Sequence, residues 1–114
     1  MSIRPTTKKY LFDIWGAVLS VEQFTEGIDA DIFASNDLIQ AAVERKFEVI
    51  GEALNRIYRE DEEVLAQIGD YSRIIGFRNI LAHGYDVVDP LLVWSIVQDH
   101  LPRLKSDVDT LLQS

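Results

Sequence analysis

Asp89-Pro90-Leu91-Leu92-Val93-Trp94-Ser95-Ile96-Val97-Gln98-Asp99-His100-Leu101-Pro102-Arg103-Leu104 and its continuation to Leu111 decide the fold. Asp89 is a good N-cap, and Pro90 suits a first helical position, where its missing N–H costs nothing. Trp94, Val97, Leu101, Leu104, Val108 and Leu111 then recur at steps of three and four, the period of a helix with one buried face. Pro102 falls within this run and frees the carbonyl of Gln98. The stripe keeps its phase across the proline, so the spacing predicts one kinked helix rather than two.

The same period extends upstream. Ile39, Val43, Phe47, Ile50, Leu54 and Ile57 form a stripe with Asn36 as its cap. Gly51 lies inside it at a cost of about 1 kcal/mol relative to alanine, and close approach of a neighbouring helix is the ordinary reason for accepting that cost. Tyr10 or Leu11, Ile14, Val18 and Val21 make a further stripe, with Thr7 as its expected cap. Thr25 to Ser35 reads as a connection with room for a helical turn, and Asp61–Ile68 as a short acidic helix. Asp70 is expected to cap a segment that runs to Ala82 and stops at Gly84. The expected fold is therefore all-α, an antiparallel bundle of four to five helices in a single domain spanning 1–114.

Composition narrows the function. The 114 residues carry a net charge of −8, which opposes bulk electrostatic coating of nucleic acid. There is no cysteine, so disulfides and thiolate metal sites are excluded. No targeting segment or apolar run of membrane-spanning length is visible, and a soluble, cytoplasmic protein is expected. Neither metal nor cofactor is implied. Between Tyr71 and Tyr85 there is no acid, only Arg73 and Arg78, which makes this stretch the place to look for an anion site.

His83 closes that helix, with Arg78 and Asn79 five and four residues before it. At about 100° per residue Asn79 shares the face of His83, whereas Arg78 lies about 140° away. Two arrangements reconcile this with a common site: the helix loosens at His83-Gly84, or two copies share the site across a two-fold interface. Arginine plus histidine suits phosphoryl chemistry without a metal. An imidazole takes a proton from a ribose 2′-hydroxyl and returns one to the leaving oxygen, while a guanidinium holds phosphate charge. RNA, not DNA, is then the substrate. The plainer alternative is a helix-end histidine bonding terminal carbonyls, with Arg78 paired to an acid such as Glu52. Glu52 also has Glu48 and Arg56 at steps of four, so an intrahelical ion pair is its expected role. His100 reads as a surface or helix-flank residue and Asp13 as a solvated one. Arg45 and Lys46 either funnel RNA or offset Glu44 and Glu48, and Trp15 and Trp94 read as core or interface.

Arg78-Asn79-Ile80-Leu81-Ala82-His83-Gly84-Tyr85 matches the Arg-x4-His-x-Tyr motif, and the chain resembles HepT-like toxins of the HEPN superfamily. The likeness continues in Tyr10–Ile14, Phe24–Gly27, Ala42–Ala53, Ile74–Asn79 and Val87–Asp89 with Trp94. One departure is Tyr71, where relatives often carry tryptophan. The resemblance implies a HEPN-like homodimer acting as an endoribonuclease toxin, with Arg78 and His83 as the active pair. It also implies a minimal nucleotidyltransferase antitoxin that attaches AMP to Tyr85. Asn79 and Arg73 are expected in support. A catalytically silent subunit, holding a nucleotide or the nucleotidyltransferase's substrate in the same pocket, is the alternative that this motif also fits.

Overall fold

The computed structural model describes residues 2–83 and 88–114. Seven helices and no strand are found among them: α1 (Pro5–Thr25), α2 (Ala30–Ala34), α3 (Asp37–Glu60), α4 (Glu62–Leu65), α5 (Tyr71–His83), α6 (Pro90–Asp99) and α7 (Leu101–Leu112). The all-α bundle expected from the periodicity is thus observed. The helix count exceeds four to five because α2 and α4 are one-turn elements and the last helix is divided.

α3 is the spine. Its stripe residues Val43, Phe47, Ile50, Leu54 and Ile57 have no solvent exposure. α1 runs antiparallel to it: Arg4 donates to the Glu60 carbonyl, and the hydroxyl of Thr7, near the start of α1, lies 3.3 Å from Asp61 Oδ2 just beyond the end of α3. α5 packs on another flank of α3, where Phe47 and Phe77 meet edge to face with ring centroids 5.2 Å apart. α7 closes over α1, with Lys105 bonded to Glu22 at 2.9 Å and set above the ring of Trp15. Short α2 is pinned to α6 through Phe33 and Trp94, ring centroids 5.3 Å apart.

Two expected caps are observed. Asn36 Oδ1 accepts from the Ile39 amide at 3.0 Å, and Asp89 Oδ1 from the Leu91 amide at 2.9 Å, with Pro90 opening α6. Thr7 does not cap α1. Pro5 starts that helix one turn earlier, so Thr7 is a buried interior residue facing Asp61. Asp70 does not cap α5 with its side chain as expected; its carbonyl accepts from Arg73 and Ile74 at 3.1 and 3.2 Å, while its carboxylate turns to the C-terminal helices.

The kinked last helix is corrected to two. The break falls at His100 (φ −116°, ψ −29°), two residues ahead of Pro102, whose ring and missing N–H prevent a regular turn there. The phase survives: Val93, Ile96 and Val97 of α6 and Leu101, Leu104, Val108 and Leu111 of α7 all face the core. His100 is a partly buried junction residue rather than a surface one, its Nδ1 lying 3.0 Å from Asp70 Oδ2.

Candidate functional site

α5 has a buried face and an outward one. Ile74 and Phe77 are buried against the core, and Ile75 and Leu81 are half-buried. Ser72, Arg73, Gly76, Asn79, Ile80 and His83 are exposed and fall in one outward arc, as the 100° step places them. Arg78 belongs to neither group. It turns sideways onto α3, with about a quarter of its side chain exposed.

Gly51 makes that seat. A Cβ at position 51 would overlap the Cβ and Cγ of Arg78, so the expected close helix approach is real, and the Arg78 stem is what approaches. Beyond the stem, Arg78 Nη2 donates to Glu52 Oε2 at 3.2 Å, and Nη1 reaches Asn79 Oδ1 at a long 3.4 Å. Nε is buried with no acceptor among the described residues. Glu52 Oε1 meets Arg56 Nε at 3.3 Å and Arg59 Nη2 at 3.8 Å, so one carboxylate gathers three guanidiniums. Both ion pairs weighed for Glu52, with Arg78 and with Arg56, are present.

This hub borders an open cleft of about 590 Å³ between α1, α3 and α5, lined by Lys9, Tyr10, Arg45, Glu52, Arg56 and Arg78 among others. Arg56 sits 6.0 Å from the Tyr10 ring centroid. Its guanidinium is held in the charged form first by Tyr10 and then by Glu52. Asp13 is exposed to solvent as expected and pairs with Lys9 at 3.2 Å, and Arg45 pairs with Glu48 at 3.2 Å. Glu44, partly buried on α3, has its carboxyl pushed above the ordinary 4.5 by desolvation and then by Glu48.

His83 is the last residue of α5 and is exposed, with Asn79 one turn behind it on the same arc. The helix is regular through His83, so nothing before that residue brings Arg78 round to it. Any loosening would fall at Gly84, which lies outside the described residues, as does Tyr85. Arg73 shares the outward arc with His83 but sits ten residues back, about 15 Å along the axis. One chain therefore does not bring Arg73, Arg78 and His83 together.

The spacing gave no hint of a second polar cluster. Asp70, in a left-handed backbone conformation (φ 62°), binds His100 and lies 3.7 Å from Arg103. The hydrogen bond from His100 is the main reason its carboxyl is held below the ordinary 3.8, with Arg103 and Arg73 adding to it. Thirty residues separate Asp70 from His100, and no local signal links them.

The fold is an all-α bundle in which Arg78 is seated in a polar cleft and His83 is exposed at the last position of the same helix. The model of the ribonuclease HepT-like family matches residues 14–111, and the chain belongs to that family. A protein of Methanocaldococcus jannaschii named "Putative RNase" is 36% identical over 102 residues, covering 90% of this chain and 93% of the relative. A second of that name from the same organism is 32% identical over 106 residues, 93% of this chain and 90% of its own length. The "Probable ribonuclease HepT" of Thermococcus cleftensis is 33% identical over 104 residues, 91% and 94% of the two chains. No solved structure matches. Among the described residues no helix is long and apolar enough to cross a membrane.

Proposed function

We propose that this chain is a metal-independent endoribonuclease, the toxin of a toxin–antitoxin pair, with Arg78 and His83 as its catalytic residues. The observation that supports it most is their placement on one regular helix of a HepT-like chain: Arg78 anchored in a cleft, His83 open at the helix end. In this reading His83, as the neutral imidazole, removes the proton of a ribose 2′-hydroxyl. The 2′-oxygen attacks the adjacent phosphorus, and the 5′-oxygen leaves with a proton from an imidazolium. A 2′,3′-cyclic phosphate and a 5′-hydroxyl result. Arg78 holds the charge that accumulates on the non-bridging oxygens.

The 140° between Arg78 and His83 favours a two-fold dimer, in which His83 of one copy and Arg78 of the other face a shared cleft. Asn79 orients the imidazole, and Arg73 adds positive potential from the outward arc. A nucleotidyltransferase antitoxin silences the enzyme by transferring AMP to Tyr85, adding negative charge that competes for the same guanidinium.

The test is cleavage of single-stranded RNA in the presence of a divalent-ion chelator. Arg78→Ala and His83→Ala each abolish it, the histidine by a factor of roughly 10²–10⁴. Arg78→Lys recovers little, because an ammonium cannot reproduce the planar fork. Products ending in 3′-hydroxyls, or full activity in His83→Ala, refute the assignment. Tyr85→Phe, co-expressed with the antitoxin, no longer gains the mass of AMP.

A further inference from the structure

We infer that the Glu52 hub is a phosphate track: Arg56 and Arg59 bind the RNA backbone beside the scissile linkage, and Glu52 is the positioning residue that aligns them with Arg78. The inference rests on Arg78 serving the reaction proposed above.

Charge is the first argument. In a chain of net charge −8, two of the four basic side chains that line the cleft are paired one to one, Lys9 with Asp13 and Arg45 with Glu48. The hub is different. One carboxylate meets three guanidiniums, leaving a surplus of two positive charges at the cleft's edge. A polyanion approaching this protein finds its favourable potential there.

Exposure is the second. Arg56 and Arg59 keep 52% and 65% of their side chains open to solvent, whereas Arg78 keeps 26%. The two outer arginines are free to meet phosphates along a strand, and the inner one is set for a single fixed contact. Arg56 is further steadied over the Tyr10 ring.

Geometry is the third. Glu52 uses Oε2 for Arg78 and Oε1 for Arg56 and Arg59, so its two oxygens tie the inner cation to the outer pair. The Arg78 stem is fixed by Gly51, and Nε has no acceptor among the described residues. The direction of its terminal nitrogens therefore depends chiefly on Glu52 at 3.2 Å, with Asn79 the longer contact at 3.4 Å. Arg59, three residues and just under one turn beyond Arg56, extends the line along α3 toward its C-terminal end.

The test uses the full chain and a fluorescent single-stranded RNA oligonucleotide. In a His83→Ala background, binding is titrated across salt concentrations. Arg56→Gln combined with Arg59→Gln lowers the slope of log K against log salt by about 1.4, from about 0.7 per phosphate contact on a single strand. With His83 intact, Glu52→Gln lowers kcat by about 10- to 100-fold through misplacement of Arg78, while KM holds or falls because a negative charge has gone. A purely electrostatic role for Glu52 gives tighter binding and undiminished kcat. An unchanged salt slope in the double variant, no RNA binding at all, or a wild-type kcat in Glu52→Gln overturns the track. The catalytic assignment fails separately, if His83→Ala still cleaves. Thermal melts of each variant show whether the fold is kept; both outer arginines are exposed, so the double variant is expected to melt as the parent does.

Discussion

Gly51→Ala is the most direct probe of how this fold builds its site. Inside a helix the substitution is intrinsically favourable by about 1 kcal/mol. Here the new methyl would overlap the Cβ and Cγ of Arg78 and sit 3.3 Å from its Cδ. Cβ is fixed by the backbone of α5, so a rotamer change cannot clear it, and the helix itself must withdraw. That withdrawal opens the edge-to-face contact of Phe47 with Phe77 on the same interface. Overpacking of this kind costs roughly 2–3 kcal/mol, which outweighs the propensity gain and leaves a net loss of about 1–2 kcal/mol. For a domain of this size Tm falls by roughly 4–10 °C. RNA cleavage should fall further than stability does, since a shift of about 1 Å at a charge-stabilising group costs on the order of 100-fold. The control is Gly16→Ala, at an exposed position inside α1 where a Cβ meets nothing within 4 Å. It should stabilise by up to about 1 kcal/mol and leave activity alone. Calorimetry and a chelator-resistant RNA cleavage assay read both effects. If Gly51→Ala melts at or above the wild type and cleaves RNA normally, the close seat of Arg78 on α3 is wrong.

Asp70→Asn tests the clamp between α5 and the α6–α7 junction, since asparagine tolerates the left-handed backbone while losing the charge. The Asp70 carboxyl is held below 3.8 in the fold, chiefly by His100, so its contribution is present above that value and fades as pH falls through the lowered one. The variant should melt below the wild type at pH 6, and the gap should close toward pH 3; a constant gap would mean that the charge is irrelevant. Phe33→Ala removes a fully buried ring that pins the five-residue α2 to Trp94. A loss of about 3–5 kcal/mol is expected, read as a lower urea midpoint at unchanged slope; a loss under about 1 kcal/mol would show that α2 is only loosely attached.

Much of the architecture was written locally. The stripes of α1, α3 and the C-terminal segment, the caps at Asn36 and Asp89, and the glycine at 51 are short-range signals, each decided within one or two helical turns. The angular separation of Arg78 from His83 was equally local, because a regular helix fixes it at about 140°. Tertiary structure decided the rest. Pro5 opens α1 ahead of Thr7, but that Thr7 is buried against Asp61, fifty-four residues away, was decided by packing. Pro102 divides the last helix, but that the junction residue His100 meets Asp70, thirty residues away, was decided by packing. Glu52 had acceptable partners on its own helix and on α5, and only packing showed that it holds Arg56, Arg59 and Arg78 together. Periodicity tells a helix which face to bury, but not which neighbour will cover it or which distant charge will meet its flank. Those choices are made by the volume and polarity of segments far off in the chain, and here they formed the cleft that holds Arg78.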